Sequence, residues 1–318
     1  MVIFHIPMLF YRRRMFISCF LLLLLIIQPL IYIFYFSERD CDNNIQPLSP
    51  DTFIDQTDII NLNTKILCWI PTTVLRLDRA LVVYETWAKR CDRSLFIIAG
   101  SPPSTPVNHS MYRFPIAYIG DDKIEKYDEL SSKVLHSLHY IYNRYRLNYD
   151  WFFKGDDDTF VIVENLRHFL RRRQSNQTSY YGYVAQTPDR FYASGGAGYV
   201  LSQKTLIELG EQILTKPDQR KSCHTDRAED INIAYCLAQI GIFVTNLRDN
   251  HQLETFHPMT FEQHFMGKFT KWIERNAQFS QKKGEECCSP LTISFHSLSI
   301  DELRMMHFLL YRIQKASS

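Results

Sequence analysis

Three consecutive carboxylates, Asp156, Asp157 and Asp158, stand between two β-prone apolar runs in the stretch WFFKGDDDTFVIV. Adjacent anions repel one another, so such a cluster is most stable beside a cation. Oxygen ligands suit Mg²⁺ or Mn²⁺, and these ions in turn bind phosphates. The bland alternative is an acidic turn between strands at a sheet edge. Downstream, Glu229 and Asp230 open an amphipathic helix. One of them could project into a cleft as a general base, or both could simply complement the helix dipole. His296 closes a short apolar strand, Leu291 to Phe295. An imidazole there is either a packing group or a ligand for a divalent transition ion. Between triad and helix lies SGGAGYVLS, whose Gly195, Gly196 and Gly198 allow close backbone approach or positive φ, or else form a plain tight turn.

The elements that must position these groups follow from hydrophobic periodicity. Lys65 to Ile70, Ser94 to Ile98 and Phe114 to Ile119 read as strands, and Leu75 to Arg90 as a helix. Leu130 to Arg146 carries Leu130, Val134, Leu138, Ile141, Tyr142 and Tyr145 at helical spacing. Helices are also predicted over about 164–173 and 203–214, and from Glu229 to near Gly241, before a short strand at Ile242 to Thr245. The segment after Thr245 reads as irregular and aromatic, with Phe256, His257, Phe261, His264, Phe265, Phe269 and Trp272. Ser299 with Glu302 forms a capping box for a last helix ending near Ile313. This alternation implies an α/β fold with a largely parallel sheet and helices on both faces. Ligands in such folds sit at the carboxyl ends of strands, where the triad falls.

The chain has 318 residues and a net charge of +2, which gives no electrostatic footprint for nucleic acid. Arg12, Arg13 and Arg14 precede an uncharged apolar segment, Met15 to Phe36, long enough to cross a bilayer. Basic residues favour the cytosolic side. The expected organisation is a cytoplasmic tail (1–14), a transmembrane signal anchor (15–36), a stem (37–63) and a luminal domain (64–318), with a cleaved signal peptide as second option. Cys41, Cys68, Cys91, Cys223, Cys236, Cys287 and Cys288 lie beyond the span and lack the paired spacing of a zinc site. An oxidising lumen would let them form disulfides. Their number is odd, so one is free or bridges chains, with Cys41 the natural candidate and a homodimer left open. Asn108 and Asn176 begin glycosylation sequons.

Taken in order, the motifs CW at Cys68, TWAKRC, DWFFKGDDDTFVIVENLR, SGGAGYVLS, AEDINIAYC, ETFHP and CCS…SFH resemble the core 1 β1,3-galactosyltransferase family, relatives of the Fringe enzymes. The resemblance runs from about Lys65 to Ile313. It implies a GT-A fold, a Rossmann-like nucleotide-binding half fused to an acceptor-binding half. It further implies transfer of galactose from UDP-galactose to O3 of GalNAc α-linked to Ser or Thr of a glycoprotein, in the Golgi, with Mn²⁺. By the same resemblance, Asp156, Asp158 and His296 face the metal, with His257 the alternative imidazole. Asp157 and Asp156 serve the donor, joined by Glu125 and Lys133. Asp230 is the catalytic base, with Glu229 able to share or replace it, and Trp272 stacks on the acceptor sugar.

Four features depart from the family pattern. Lys126-Tyr127 replaces Gly-Arg, Ser297 replaces the Tyr after SFH, Ala234 replaces a Gly, and charges (Glu274, Arg275, Lys282, Lys283) enter the aromatic segment before the cysteine pair. Chemistry residues are kept while acceptor-side residues drift. The alternatives are therefore a Fringe-like β1,3-glycosyltransferase with another sugar or acceptor, or a non-catalytic chaperone or lectin-like relative.

Overall fold

The computed structural model describes residues 61, 63–102, 113–120, 129–223 and 228–314. The expected anchor, Cys41, Asn108 and Glu125 lie outside these residues. Among the described residues no helix is long and apolar enough to cross a membrane.

The centre is a seven-stranded sheet. Its members are β1 (Ile66–Pro71), β2 (Arg93–Ala99), β3 (Ile116–Ile119), β4 (Trp151–Lys154), β6 (Tyr180–Gly182), β9 (Tyr199–Ser202) and β10 (Val244–Thr245), in the order β10-β6-β9-β4-β1-β2-β3. The pairs β1–β2, β1–β4, β2–β3 and β6–β10 are parallel, whereas β9 runs antiparallel to both β4 and β6. Strands covered on both faces need continuous apolar runs. ILCWIP in β1 and WFFK in β4 meet that demand, and every residue in both is buried.

Two small sheets complete the β structure. One comprises β5 (Phe160–Val161), β11 (Phe256–His257) and β12 (Ser294–Phe295), and the other pairs β7 (Val184–Thr187) with β8 (Arg190–Ala193). The helices are α1 (Leu77–Thr86), α2 (Leu130–Tyr145), α3 (Val163–Leu170), α4 (Gln203–Leu209), α5 (Pro217–Ser222), α6 (Glu229–Gln239), α7 (Phe261–Met266), α8 (Lys271–Asn276) and α9 (Ile300–Tyr311). In α2, Val134, Leu138, Ile141 and Tyr142 of the predicted stripe are buried, joined by Leu135, whereas Leu130 and Tyr145 are half-buried. The segment expected to be irregular holds α7 and α8. Thr260 and Gln263 close a capping box at the start of α7, and Thr270 caps α8. The Ser299–Glu302 capping box at α9 is present.

The acidic triad does not lie at a lateral sheet edge. It follows β4, a central strand, and carries the chain from the large sheet into β5 of the small one. Two registers then bring distant segments to it. In the β4–β9 pair Lys154 faces Tyr199, which sets the glycine turn Gly195–Gly198 against the start of the triad. In the β5–β12 pair Phe160 faces Phe295, which delivers His296 to the end of the triad.

Cys68, in β1, forms a disulfide with Cys91, and Cys287 with Cys288. Cys223 and Cys236 are buried free thiols. Asn176 is exposed in the turn between α3 and β6.

Gly198 has φ +84°, and a Cβ there would meet Phe153 Cζ at 2.7 Å and the Lys154 carbonyl oxygen at 2.8 Å. Both the left-handed backbone and the lack of space oppose a side chain. Gly198→Ala is expected to destabilise the domain by about 2 kcal/mol or more. Urea unfolding measures this, and an unchanged midpoint would mean that the turn does not constrain the β4–β9 junction.

Candidate active site

One oxygen each of Asp156 and Asp158 and one ring nitrogen of His296 lie within 4.8 Å of one another. His296 Nε2 is 3.1 Å from Asp158 Oδ1. Its Nδ1 lies 3.2 Å from the Pro258 carbonyl oxygen and 3.1 Å from Ser297 Oγ. A proton on Nδ1 donated to Pro258 directs Nε2 at the carboxylates, the usual way a second contact sets an imidazole tautomer. Burial lowers the His296 pKa, but Asp158 and then Asp156 outweigh it and hold it above the ordinary imidazole value. Burial likewise raises the Asp158 pKa, and His296 with Arg79 and Arg76 brings it below the usual carboxylate range. Gly196 fits beneath this pair because a Cβ there would enter the His296 ring.

The turn that carries Gly196 is fastened from several sides. Thr159 Oγ1 donates to the Gly196 carbonyl at 2.8 Å and Ser294 Oγ to the Ala197 carbonyl at 2.5 Å. The Gly195 N–H donates to Asp230 Oδ2 at 2.9 Å, and the Ile231 N–H to Asp230 Oδ1 at 2.9 Å. Asp230 sits in the first turn of α6, so its position depends on both the helix start and the glycine turn. Burial raises its pKa against the pull of the Gly195 N–H, which makes it a stronger proton acceptor than a free aspartate. Glu229, its neighbour, points into the protein. Burial pushes its pKa up to about 7 while the Lys154 ammonium, 2.6 Å away, pulls it down.

Asp157 turns away from Asp156 and Asp158. It accepts from Thr72 Oγ1 at 2.9 Å and pairs with Arg76 at 2.8 Å. Burial pushes its pKa up to about 6 against Arg76 and Thr72, so it remains ionised at neutral pH. Lys133, buried on α2, donates to the Thr72 carbonyl at 2.5 Å and so belongs to the same side as Asp157. His257 is elsewhere. It is fully buried, stacked on Phe295 with centroids 4.6 Å apart, and burial lowers its pKa well below the ordinary value.

Trp272, on α8, is 38% exposed. It is linked to Asp230 through a residue that sequence reasoning missed. Tyr192, on β8, lies near the Trp272 indole and the Asp230 carboxylate; burial and the Asp230 charge push the phenol up to about 12. Arg76 and Lys154 were missed as well. Lys154 carried a readable signal, a cation ending an otherwise apolar strand one residue before the triad's glycine. Tyr192 carried none.

Residues 71–309 match the Fringe-like family. The glycoprotein-N-acetylgalactosamine 3-beta-galactosyltransferase 1 of Xenopus laevis is 32% identical over 265 residues, covering 80% of this chain and 68% of the relative. Human chondroitin sulfate synthase 3 is 23% identical over 52% of this chain and only 19% of its own. The UDP-GlcNAc:betaGal beta-1,3-N-acetylglucosaminyltransferase 7 of Rattus norvegicus is 28% identical over 56% of this chain and 51% of its own. Among solved structures, the galactosyltransferase LgtC in complex with donor and acceptor sugar analogues superposes with a TM-score of 0.46 at 11% identity, over 78% of this chain and 98% of that one. That superposition is too loose to carry weight. The match to the family and the Xenopus relative do carry it: the chain is a glycosyltransferase of the Fringe-like family, related to the core 1 β1,3-galactosyltransferases.

Proposed function

We propose that the chain transfers galactose from UDP-galactose to O3 of GalNAc α-linked to Ser or Thr of glycoproteins, with inversion, on a GT-A scaffold facing the Golgi lumen from a type II anchor at 15–36. The observation that carries the reading is the convergence of Asp156, Asp158 and His296 beside Asp230, from three separate segments. Two carboxylates and an imidazole suit Mn²⁺, so the donor set fits a divalent cation. When bound there, such an ion supplies neutralising charge for the departing diphosphate. Asp157, with Thr72, Lys133 and Arg76, then holds the nucleotide side.

Asp230 accepts the proton of the attacking hydroxyl. The Gly195 and Ile231 N–H groups orient its two oxygens, and its raised pKa favours proton uptake. Trp272 and Tyr192 flank that side, where the acceptor sugar would rest. The α linkage of the donor becomes β in the product, which a single in-line displacement achieves. A second reading keeps this chemistry and changes the sugar or acceptor; Ser297 in place of an aromatic beside His296 favours it.

Asp158→Ala is expected to abolish turnover, and full activity would remove the triad from the site. Asp230→Asn is expected to lower kcat by about 10²–10⁴-fold while Mn²⁺ and UDP still bind. Loss of donor binding instead would make Asp230 structural. A panel of UDP-galactose, UDP-GalNAc and UDP-GlcNAc against a GalNAc-peptide and simple fucosides, with and without Mn²⁺, separates the two readings by which product forms.

The His296–Asp158 pair also gives a pH signature in the metal-free domain. Its folded imidazole pKa is raised, so its stabilisation is fully present below the unfolded imidazole value and is lost as pH rises through the folded one. The stability difference between wild type and His296→Gln should therefore be full below the ordinary imidazole value of about 6.5 and shrink as pH rises above it. Urea unfolding at each pH measures it, and a pH-independent difference would dissolve the pair.

A further inference from the structure

Lys154 contacts both the acidic triad and the first turn of α6. Its side chain is 1% exposed, at the last position of β4. The ammonium lies 2.8 Å from Asp156 Oδ1 and 2.6 Å from Glu229 Oε1, and donates to the Gly195 carbonyl at 3.1 Å. An ammonium has three donors, and three acceptors surround this one. The Tyr199 ring, 5.8 Å away, adds a favourable face to the cation. Gly195 in turn holds Asp230 through its own N–H at 2.9 Å. From the metal-facing Asp156 to Asp230 the path is thus one ammonium and one glycine.

We propose that Lys154 is a positioning residue that fixes the distance between the metal-facing carboxylate Asp156 and the base Asp230, through Gly195 and Glu229. A buried ion cluster is a weak device for stability, since well-packed neutral groups of similar shape serve as well or better. A displacement sets different terms. In-line transfer requires the leaving group and the attacking hydroxyl to be held on opposite sides of one carbon, and misplacement by about 1 Å costs on the order of 10²-fold. Lys154 sits where that alignment is decided. It contacts Asp156 on strand β4's outgoing loop, Glu229 at the start of α6, and the turn that joins them. A side chain on Gly195 would meet Glu229 Oε1 at 2.7 Å, so the glycine, the glutamate and the lysine fit only together.

The inference rests on Asp230 being the base, and the test separates the two. Removing Lys154 alone would strand the buried Glu229 carboxylate, so the variant is K154M/E229Q, which removes the buried Lys154–Glu229 ion pair. Circular dichroism and thermal unfolding establish the fold, electron paramagnetic resonance titration gives Mn²⁺ affinity, and steady-state kinetics give kcat and KM. The expected result is a kcat about 100-fold lower, with Mn²⁺ affinity unchanged or tighter because Asp156 has lost a competing cation. In a D230N background the same pair should cost less than about twofold further, because Lys154 acts through Asp230. A kcat within about twofold of wild type, a kcat loss matched by Mn²⁺ affinity, or full additivity with D230N would each overturn the proposal. Normal kcat in D230N alone would overturn the base assignment instead. If K154M/E229Q fails to fold, K154Q/E229Q keeps a polar end toward the Gly195 carbonyl and is read by the same outcomes.

Discussion

Repulsion among carboxylates is the constraint that the rest of the structure answers. Asp156, Asp157, Asp158, Glu229 and Asp230 gather at the carboxyl end of β4. Two unit charges about 4 Å apart repel by about 4 kcal/mol at an effective dielectric of 20. A few such pairs would consume the whole stability of a domain, about 5–15 kcal/mol. Each carboxylate therefore has a partner, Lys154 serving two of them, and most partners come from distant segments. Lys154 stands between Asp156 and Glu229, Arg76 and Thr72 hold Asp157, His296 holds Asp158, and the Gly195 N–H holds Asp230. Topology is what assembles them, and only the fold makes the cluster tolerable.

That dependence falls on two short strand pairings. β5 and β12 match only Val161 with Ser294 and Phe160 with Phe295. A slip of one residue would reverse the facing of every side chain and turn His296 away from Asp158. The register is pinned by packing on both sides. Phe295 stacks on His257 and meets Phe261 edge-on, and Ser294 Oγ ties the strand to the glycine turn. His257 thus helps place His296 without facing the carboxylates itself. Its low pKa suits that work, because a charged ring buried there would have no counter-ion.

The order of triad, glycine run, Asp230 and His296 was legible because each motif sits at the end of a strand or the start of a helix, where local pattern is strongest. The buried runs of β1, β2 and β4 were legible for the same reason, as was α2. Strands β6 to β8 were not, since YYG, VAQT and RFYA carry no sustained alternation and owe their form to pairing. Helices α7 and α8 are six residues each, too short for a periodic signal, and only Thr260 and Thr270 mark their starts. Tyr192 was beyond reach. Its link to Asp230 exists because β8 packs against α6, a tertiary fact with no local trace.

The two ends of the site differ in how freely they can change. Lys154, Asp157, Glu229 and Lys133 are buried, and breaking the buried Lys154–Glu229 pair would strand a charge at a cost on the order of 3–5 kcal/mol. On the other side, Phe261, Phe265, Trp272 and Phe279 are all between 38% and 44% exposed, on or beside short capped helices. Surface substitutions of that kind usually cost little. Of the four departures from the family pattern, Lys126-Tyr127 lies outside the described residues and Ala234 is buried on α6, but the other two fall on the exposed side. Ser297 and the charges at Glu274, Arg275, Lys282 and Lys283 lie on the open side, while the triad, Lys154 and the Glu229–Asp230 pair are intact. Within the proposed reaction, chemistry is locked by burial and acceptor choice is written on a surface that stability does not police.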